Sequence, residues 1–94
     1  MALIHAVMFT LHEPGDAPEA AERLRAMAGR IPPLLQIDVG TSADGSAPHV
    51  LLVTRHADAE GLRAYADHPV HQELLSWIRP RIAARAAVDT LDFG

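Results

Sequence analysis

The chain has 94 residues, with eight arginines, no lysine and no cysteine against twelve acidic residues, and a net charge of −4. This length accommodates one modest core, so residues 1–94 are read as a single domain, near the size at which a second copy often adds needed buried surface. The acidic balance and the lack of any basic run interleaved with aromatics exclude a nucleic-acid footprint. The missing Cys and Lys exclude disulfides, thiolate nucleophiles and Schiff bases, leaving chemistry to His, Tyr, Ser, Arg and carboxylates. Abundant Ala and Arg without Lys suggest a GC-rich, bacterial coding bias.

The opening segment, ALIHAVMFTL, carries a single ionisable residue, a histidine, and has neither a basic n-region nor the length to span a bilayer. It is read as the first strand of a cytoplasmic protein with no membrane partner. Leu3, His5, Val7, Phe9 and Leu11 share one face; Ile4, Ala6, Met8 and Thr10 share the other. Both faces are largely apolar, so helices are expected over one and a second subunit over the other, with Ile4, Ala6 and Met8 in the contact.

EPGD reads as a turn, and Pro18 marks a helix start. Ala20, Ala21, Leu24, Met27, Ala28 and Ile31 recur at helical spacing up to Pro32-Pro33. LLQIDVG is a short second strand, TSADGSAP a loop and HVLLVTRH a third strand. Asp58 is placed to cap a second helix with Leu62, Tyr65 and Ala66 inward. That helix must end at His68, because a residue before proline is pushed out of the helical region. Pro69 opens a third helix whose stripe is His71, Leu74, Leu75, Ile78 and Ile82; Pro80 ends or kinks it, and AAVDTLDF is the last strand. The order β-α-β-β-α-(α)-β fits a ferredoxin-like α+β sandwich.

If the odd face of the first strand looks at the helices, His5, Tyr65 and His71 converge on one interior space, walled by Val7, Phe9, Leu24, Leu52 and Ile82. Polar groups in an apolar interior need partners or bear a desolvation cost of about 1–3 kcal/mol each. Two accounts stand at this point. One is a hydrogen-bonded core cluster; the other is a pocket in which a histidine acts as general base beside a phenol that donates a hydrogen bond. His68 reads as bracing the helix junction. His68 and His71 with His5 as zinc ligands rank lower, without a His-Glu-x-x-His pattern. Ser76 lacks an elbow motif and no phosphate loop is present, so neither a metal nor another cofactor is expected. Trp77 reads as packing.

IHAVMFTL, IPPLLQIDVG, AYADHPVHQELLSWIRP with its His-Pro-x-His signature, and AAVDTLDF together resemble the stress-responsive A/B barrel domain (Dabb) family across nearly the whole chain. The resemblance implies a dimeric α+β barrel joined through its sheets. One plant member of that family closes a linear polyketide thioester by intramolecular aldol condensation. Its three polar groups match His5, Tyr65 and His71, with His71 in the position of the general base. Ala20 and Ala21 stand where that cyclase has paired aromatics, and Ile82 stands near a pocket tryptophan, which implies a different substrate. The expected function is a cofactor-free cyclase, aldol-type or isomerase catalyst on a polyketide-like or other carbonyl compound. The alternatives are a non-catalytic ligand-binding stress-response dimer and a cofactor-independent monooxygenase.

Overall fold

A computed structural model describes residues 2–92. Strand β1 (Leu3–Leu11) leads through a 3₁₀ turn at Pro14–Asp16 into helix α1 (Ala17–Arg25). Strands β2 (Gln36–Thr41) and β3 (Val50–His56), helices α2 (Ala59–Asp67) and α3 (Pro69–Ile78), a second 3₁₀ turn at Arg79–Arg81 and strand β4 (Ile82–Leu91) complete the ferredoxin-like α+β order. The sheet is antiparallel throughout, in the order β2-β3-β1-β4. Phe93, assigned from sequence to the last strand, lies outside the described residues. None of the helices among the described residues is long and apolar enough to cross a membrane.

The odd residues of β1 do face the helices. Val7, Phe9 and Leu11 are buried with Val50 and Leu52 of β3, under Ala20 and Leu24 of α1 and Leu74 and Ile78 of α3. Trp77 lies between two guanidiniums, Arg23 at 4.4 Å and Arg81 at 4.2 Å from its ring centroid, so cation–π contacts pin α3 to α1. On the outer face, Met8, Leu51 and Val88 remain exposed. Ile4 differs from the sequence expectation of an interface residue: it is already 2% exposed within one chain. Val53 and Arg55 line the same recess, and Arg55 is paired at 2.7 Å with Asp92.

Two element ends also differ. The apolar period that predicts a helix up to Ile31 continues through 26–30, but α1 stops at Arg25. Met27, Ala28 and Arg30 donate three residues back, to Leu24, Arg25 and Met27, in successive tight turns, and Gly29 takes a φ of 76°. Met27 and Ile31 still reach the core. Ile82, assigned by periodicity to the third helix, instead begins β4. It pairs with Leu11, whereas Thr10 pairs with Ala84, so Ala83 is an extra residue in a β-bulge. The bulge changes the parity of the strand and puts Ile82 on the same face as Arg85, Ala87 and Asp89.

Proline decides the break between α2 and α3. Pro69 has no N–H to continue α2, and His68 sits at φ −65°, ψ 139°, extended as a pre-proline residue prefers. Its Nδ1 accepts from the Val70 N–H at 3.1 Å and so caps α3. His68→Ala is expected to cost about 0.5–2 kcal/mol, the range for a lost cap, and His68→Asn to recover most of it. Urea denaturation of the three proteins checks this; equal stability of His68→Ala and the parent would refute the cap.

Candidate active site

The His68-Pro69 break also sets the neighbouring histidine. In an unbroken helix the Ala66 carbonyl would accept from the Val70 N–H, but that N–H is bound to His68. The freed carbonyl instead accepts from Nδ1–H of His71 at 2.8 Å and from Gln72 Nε2 at 2.7 Å. Because a carbonyl can only accept, Nδ1 carries the hydrogen and neutral His71 keeps its lone pair on Nε2. Burial holds His71 below its ordinary value, more strongly than the Ala66 bond raises it. At neutral pH it is an unprotonated base.

The Tyr65 ring lies 4.5 Å from that of His71, centroid to centroid, and 4.9 Å from that of His56. Tyr65 is 2% exposed, and its hydroxyl is buried without a hydrogen-bond partner. Burial pushes the phenol up to about 12, so it stays protonated and able to donate. His56 backs it rigidly: Nδ1–H donates to the Pro33 carbonyl at 3.1 Å and Nε2 accepts from the Thr54 hydroxyl at 2.9 Å. Burial lowers His56 as well.

Sheet register supplies the third group. Thr54, His5 and Asp89 form one cross-strand row, and Nδ1–H of His5 donates to the Asp89 carboxylate. Asp89 had no signal in the sequence, since only strand pairing brings it beside His5. The next rows on the same face are Leu52–Val7–Ala87 and Val50–Phe9–Arg85.

Between this face and α2 and α3 lies a cleft of about 570 Å³, within the range of small-molecule sites. His5, Tyr65 and His71 all line it, as do Val7, Phe9, Leu52 and Ile82. Leu24, expected in the same wall, does not. It is 1% exposed in the core on α1, which packs over β2 and β3 and not over the cleft. Ala20 and Ala21 are likewise buried on α1. Leu62, Ala66 and Leu75, read from the sequence as inward, also line the cleft, and Asp67, Gln72, Arg79 and Arg85 line it without having been expected there. His49 is elsewhere: its Nδ1 accepts from the Leu11 N–H at 3.0 Å, tying off the end of β1. No group of three or more His, Asp or Glu side chains among the described residues is placed to hold a metal ion.

A ferredoxin-like sheet with a histidine–phenol cleft beneath its helices defines the class as an α+β barrel protein. Residues 3–92 match the stress responsive A/B barrel domain, and the chain belongs to that family. Among solved structures it is similar to a dimeric ferredoxin-like protein of unknown function from Thermobifida fusca, at 27% identity and a TM-score of 0.82, over 96% of this chain and 90% of that one. A dimeric protein of unknown function and ferredoxin-like fold from Bacteroides fragilis matches at 22% identity and a TM-score of 0.83, over 95% and 94%. A variant of SnoaB, a cofactor-independent oxygenase from Streptomyces nogalater, shares the fold at 14% identity and a TM-score of 0.76, over 97% and 92%. No protein of curated function matches the chain.

The two lowered histidines predict a pH dependence of stability. The unfolded chain takes up protons near the ordinary value of 6.5, while folded His56 and His71 resist them until lower pH. The unfolded state therefore binds more protons in that window, and stability is expected to fall as pH drops below about 6.5. Urea midpoints at pH 7.5 and 5.5 test this. A midpoint that rises on acidification would contradict it.

Proposed function

We propose that the cleft is the active site of a cofactor-free enzyme, a cyclase, aldol-type or isomerase catalyst acting on a polyketide-like or other carbonyl compound. One observation carries the reading: a neutral imidazole with its lone pair on Nε2 lies against a buried phenol whose hydroxyl has no protein partner. A buried, unsatisfied hydroxyl costs stability, about 1–3 kcal/mol, unless a ligand oxygen completes it. Nε2 of His71 takes a proton from the carbon α to a carbonyl. Tyr65 donates to the carbonyl oxygen as charge gathers there, and the apolar walls strengthen that bond by excluding water. The carbanion then attacks a second carbonyl of the same chain, or is reprotonated at another carbon. His5, fixed by Asp89 at the far side of the cleft, orients the substrate or returns the proton.

Cofactor-independent oxygenation is a second reading that shares the first step, since a deprotonated, electron-rich substrate is what dioxygen would oxidise. The fold of SnoaB, itself a cofactor-independent oxygenase, supports keeping it. A binding protein without turnover would use the same cleft. Oxygen uptake alongside product analysis separates the three.

We also propose that the chain works as a homodimer joined through the outer face of the sheet. Met8, Leu51 and Val88 expose 44%, 45% and 61% of their surface there, beside Ala6, Val53, Ala84 and Ala86, with Thr10, Arg55 and Thr90 toward the ends of the same face. The Thermobifida fusca and Bacteroides fragilis relatives are described as dimeric. Met8→Asp is expected to give monomer or aggregate on size-exclusion chromatography with light scattering. A parent protein that runs as a monomer at micromolar concentration would overturn the dimer.

For catalysis, His71→Ala is expected to reduce deuterium uptake α to the carbonyl of nonane-2,4-dione, above the buffer background, by about 10²- to 10⁴-fold. Tyr65→Phe keeps the ring and removes only the unpartnered hydroxyl. It is expected to cost about 10- to 1,000-fold in rate while the melting temperature is kept or raised. Full specific activity in both variants would show that Tyr65 and His71 are structural.

A further inference from the structure

The groups along the cleft are sorted by charge. Asp67 is the last residue of α2 and stands just before α3; Arg79 follows the end of α3. The ten residues of α3 separate them by about 15 Å. Strand β4 repeats the arrangement: Asp89 lies in the His5 row and Arg85 in the Phe9 row, four residues and about 13 Å apart. Since α3 runs directly into β4 through Arg79–Arg81, the two arginines occupy one end of the cleft. Asp67, His5 and His71 occupy the other, with Asp89 behind His5 and bound to it.

Among the other arginines around the helices, Arg30 and Arg63 have no ion pair among the described residues either but do not line the cleft, and three are engaged. Arg23 pairs with Glu19, Arg25 donates to the Val39 carbonyl, and Arg81 donates to the Trp77 carbonyl while lying near Asp16. Neither Arg79 nor Arg85 has an ion pair among the described residues, yet both border an apolar wall of Phe9, Leu75 and Ile82. Two exposed like charges beside such a wall have no counter-charge from the protein, and an anion in the cleft would meet both. The field of Arg79 already reaches His71, where it opposes protonation.

We propose that Arg79 and Arg85 form an anion subsite that takes a carboxylate or phosphate of the substrate and thereby orients it, with the reacting carbonyl at Tyr65 and His71. This rests on the function proposed above and names its substrate class: an elongated carbonyl compound with an apolar middle and an anionic end. Asp67 repels the anion from the opposite end, so the cleft accepts such a molecule in one direction.

The test uses 9-oxodecanoate, its methyl ester and 9-oxodecyl phosphate, with histidine Cε1–H NMR signals as the readout and that of His71 assigned by its loss in His71→Ala. At low salt the wild-type protein is expected to bind the carboxylate or the phosphate at least about tenfold more tightly than the ester, the factor for one charge-assisted bond. The tighter of the two anions identifies the head group. In Arg79→Gln/Arg85→Gln the advantage is expected to fall below about twofold while ester affinity is unchanged, and 0.5 M salt should act in the same direction. Binding of either anion should also raise the titration midpoint of His71 in the wild type, by neutralising Arg79. Equal affinity for ester and anions, or an advantage that survives in the double variant, overturns the subsite. In that case His71-dependent deuterium exchange into the ester would leave the catalytic reading standing. An arginine-dependent preference with no exchange into any probe upholds the subsite and removes the reaction. No shift of the His71 signal by any probe at millimolar concentration overturns both.

Discussion

The missing N–H of Pro69 is the constraint on which the site depends. It stops α2, sends the Val70 N–H to His68 and leaves the Ala66 carbonyl without its helical donor. An orphaned carbonyl at a helix end needs a partner, and His71 provides one by committing its Nδ1 hydrogen. The tautomer of His71, its orientation and its contact with Tyr65 thus follow from one backbone vacancy two residues before the His68-Pro69 pair. A continuous helix through this region would leave the same imidazole free to rotate and to choose either tautomer.

The opposite wall is set by strand pairing. β1 is central, and its odd residues meet β3 on one side and β4 on the other, so one row assembles Thr54, His5 and Asp89 from three strands. The helical wall carries a base kept neutral by burial, whereas the sheet wall carries an imidazole tied to a carboxylate. Two histidines in one cleft are thereby given different hydrogen-bonding duties by their neighbours. The same row links to His56 through Thr54, and His56 in turn backs Tyr65. Sheet and helices therefore meet behind the pocket through a ring contact between His56 and Tyr65.

Local periodicity was enough to place His5, Tyr65 and His71 on inward stripes, and proline chemistry was enough to place the junction at His68. Both signals act over a few residues and are written in the side chains themselves. Asp89 was not legible, because strand partners are chosen by tertiary register and its own strand shows only Ala87, Val88, Thr90 and Leu91 around it, none of which marks a site. Leu24 was read into the pocket because a helical stripe says which side is inward without saying what lies beneath it; α1 covers β2 and β3 instead. The end of α1 misled for a related reason: turns of three residues per rise keep Met27 and Ile31 inward almost as a helix would. Ile4 shares the apolar even face that periodicity assigns to a second copy, yet it is already buried within one chain, in a recess lined also by Val53 and Arg55.

The bulge at Ala83 makes the local backbone as consequential as residue identity. Side chains on a strand alternate between faces, and the single extra residue is what lets Ile82 and Arg85 look into the same cleft. Drawing Ala83 into regular alternation with the later pairing held would turn Ile82 toward the other surface; holding Ile82 in place would turn out Arg85, Ala87 and Asp89 together. Removing Ala83 outright would restore a regular strand and keep Ile82 and Arg85 on the cleft face. The lining that β4 gives the cleft therefore depends on one residue being left out of the ladder, and a substitution that lets that residue pair would exchange the lining without touching any side chain in it.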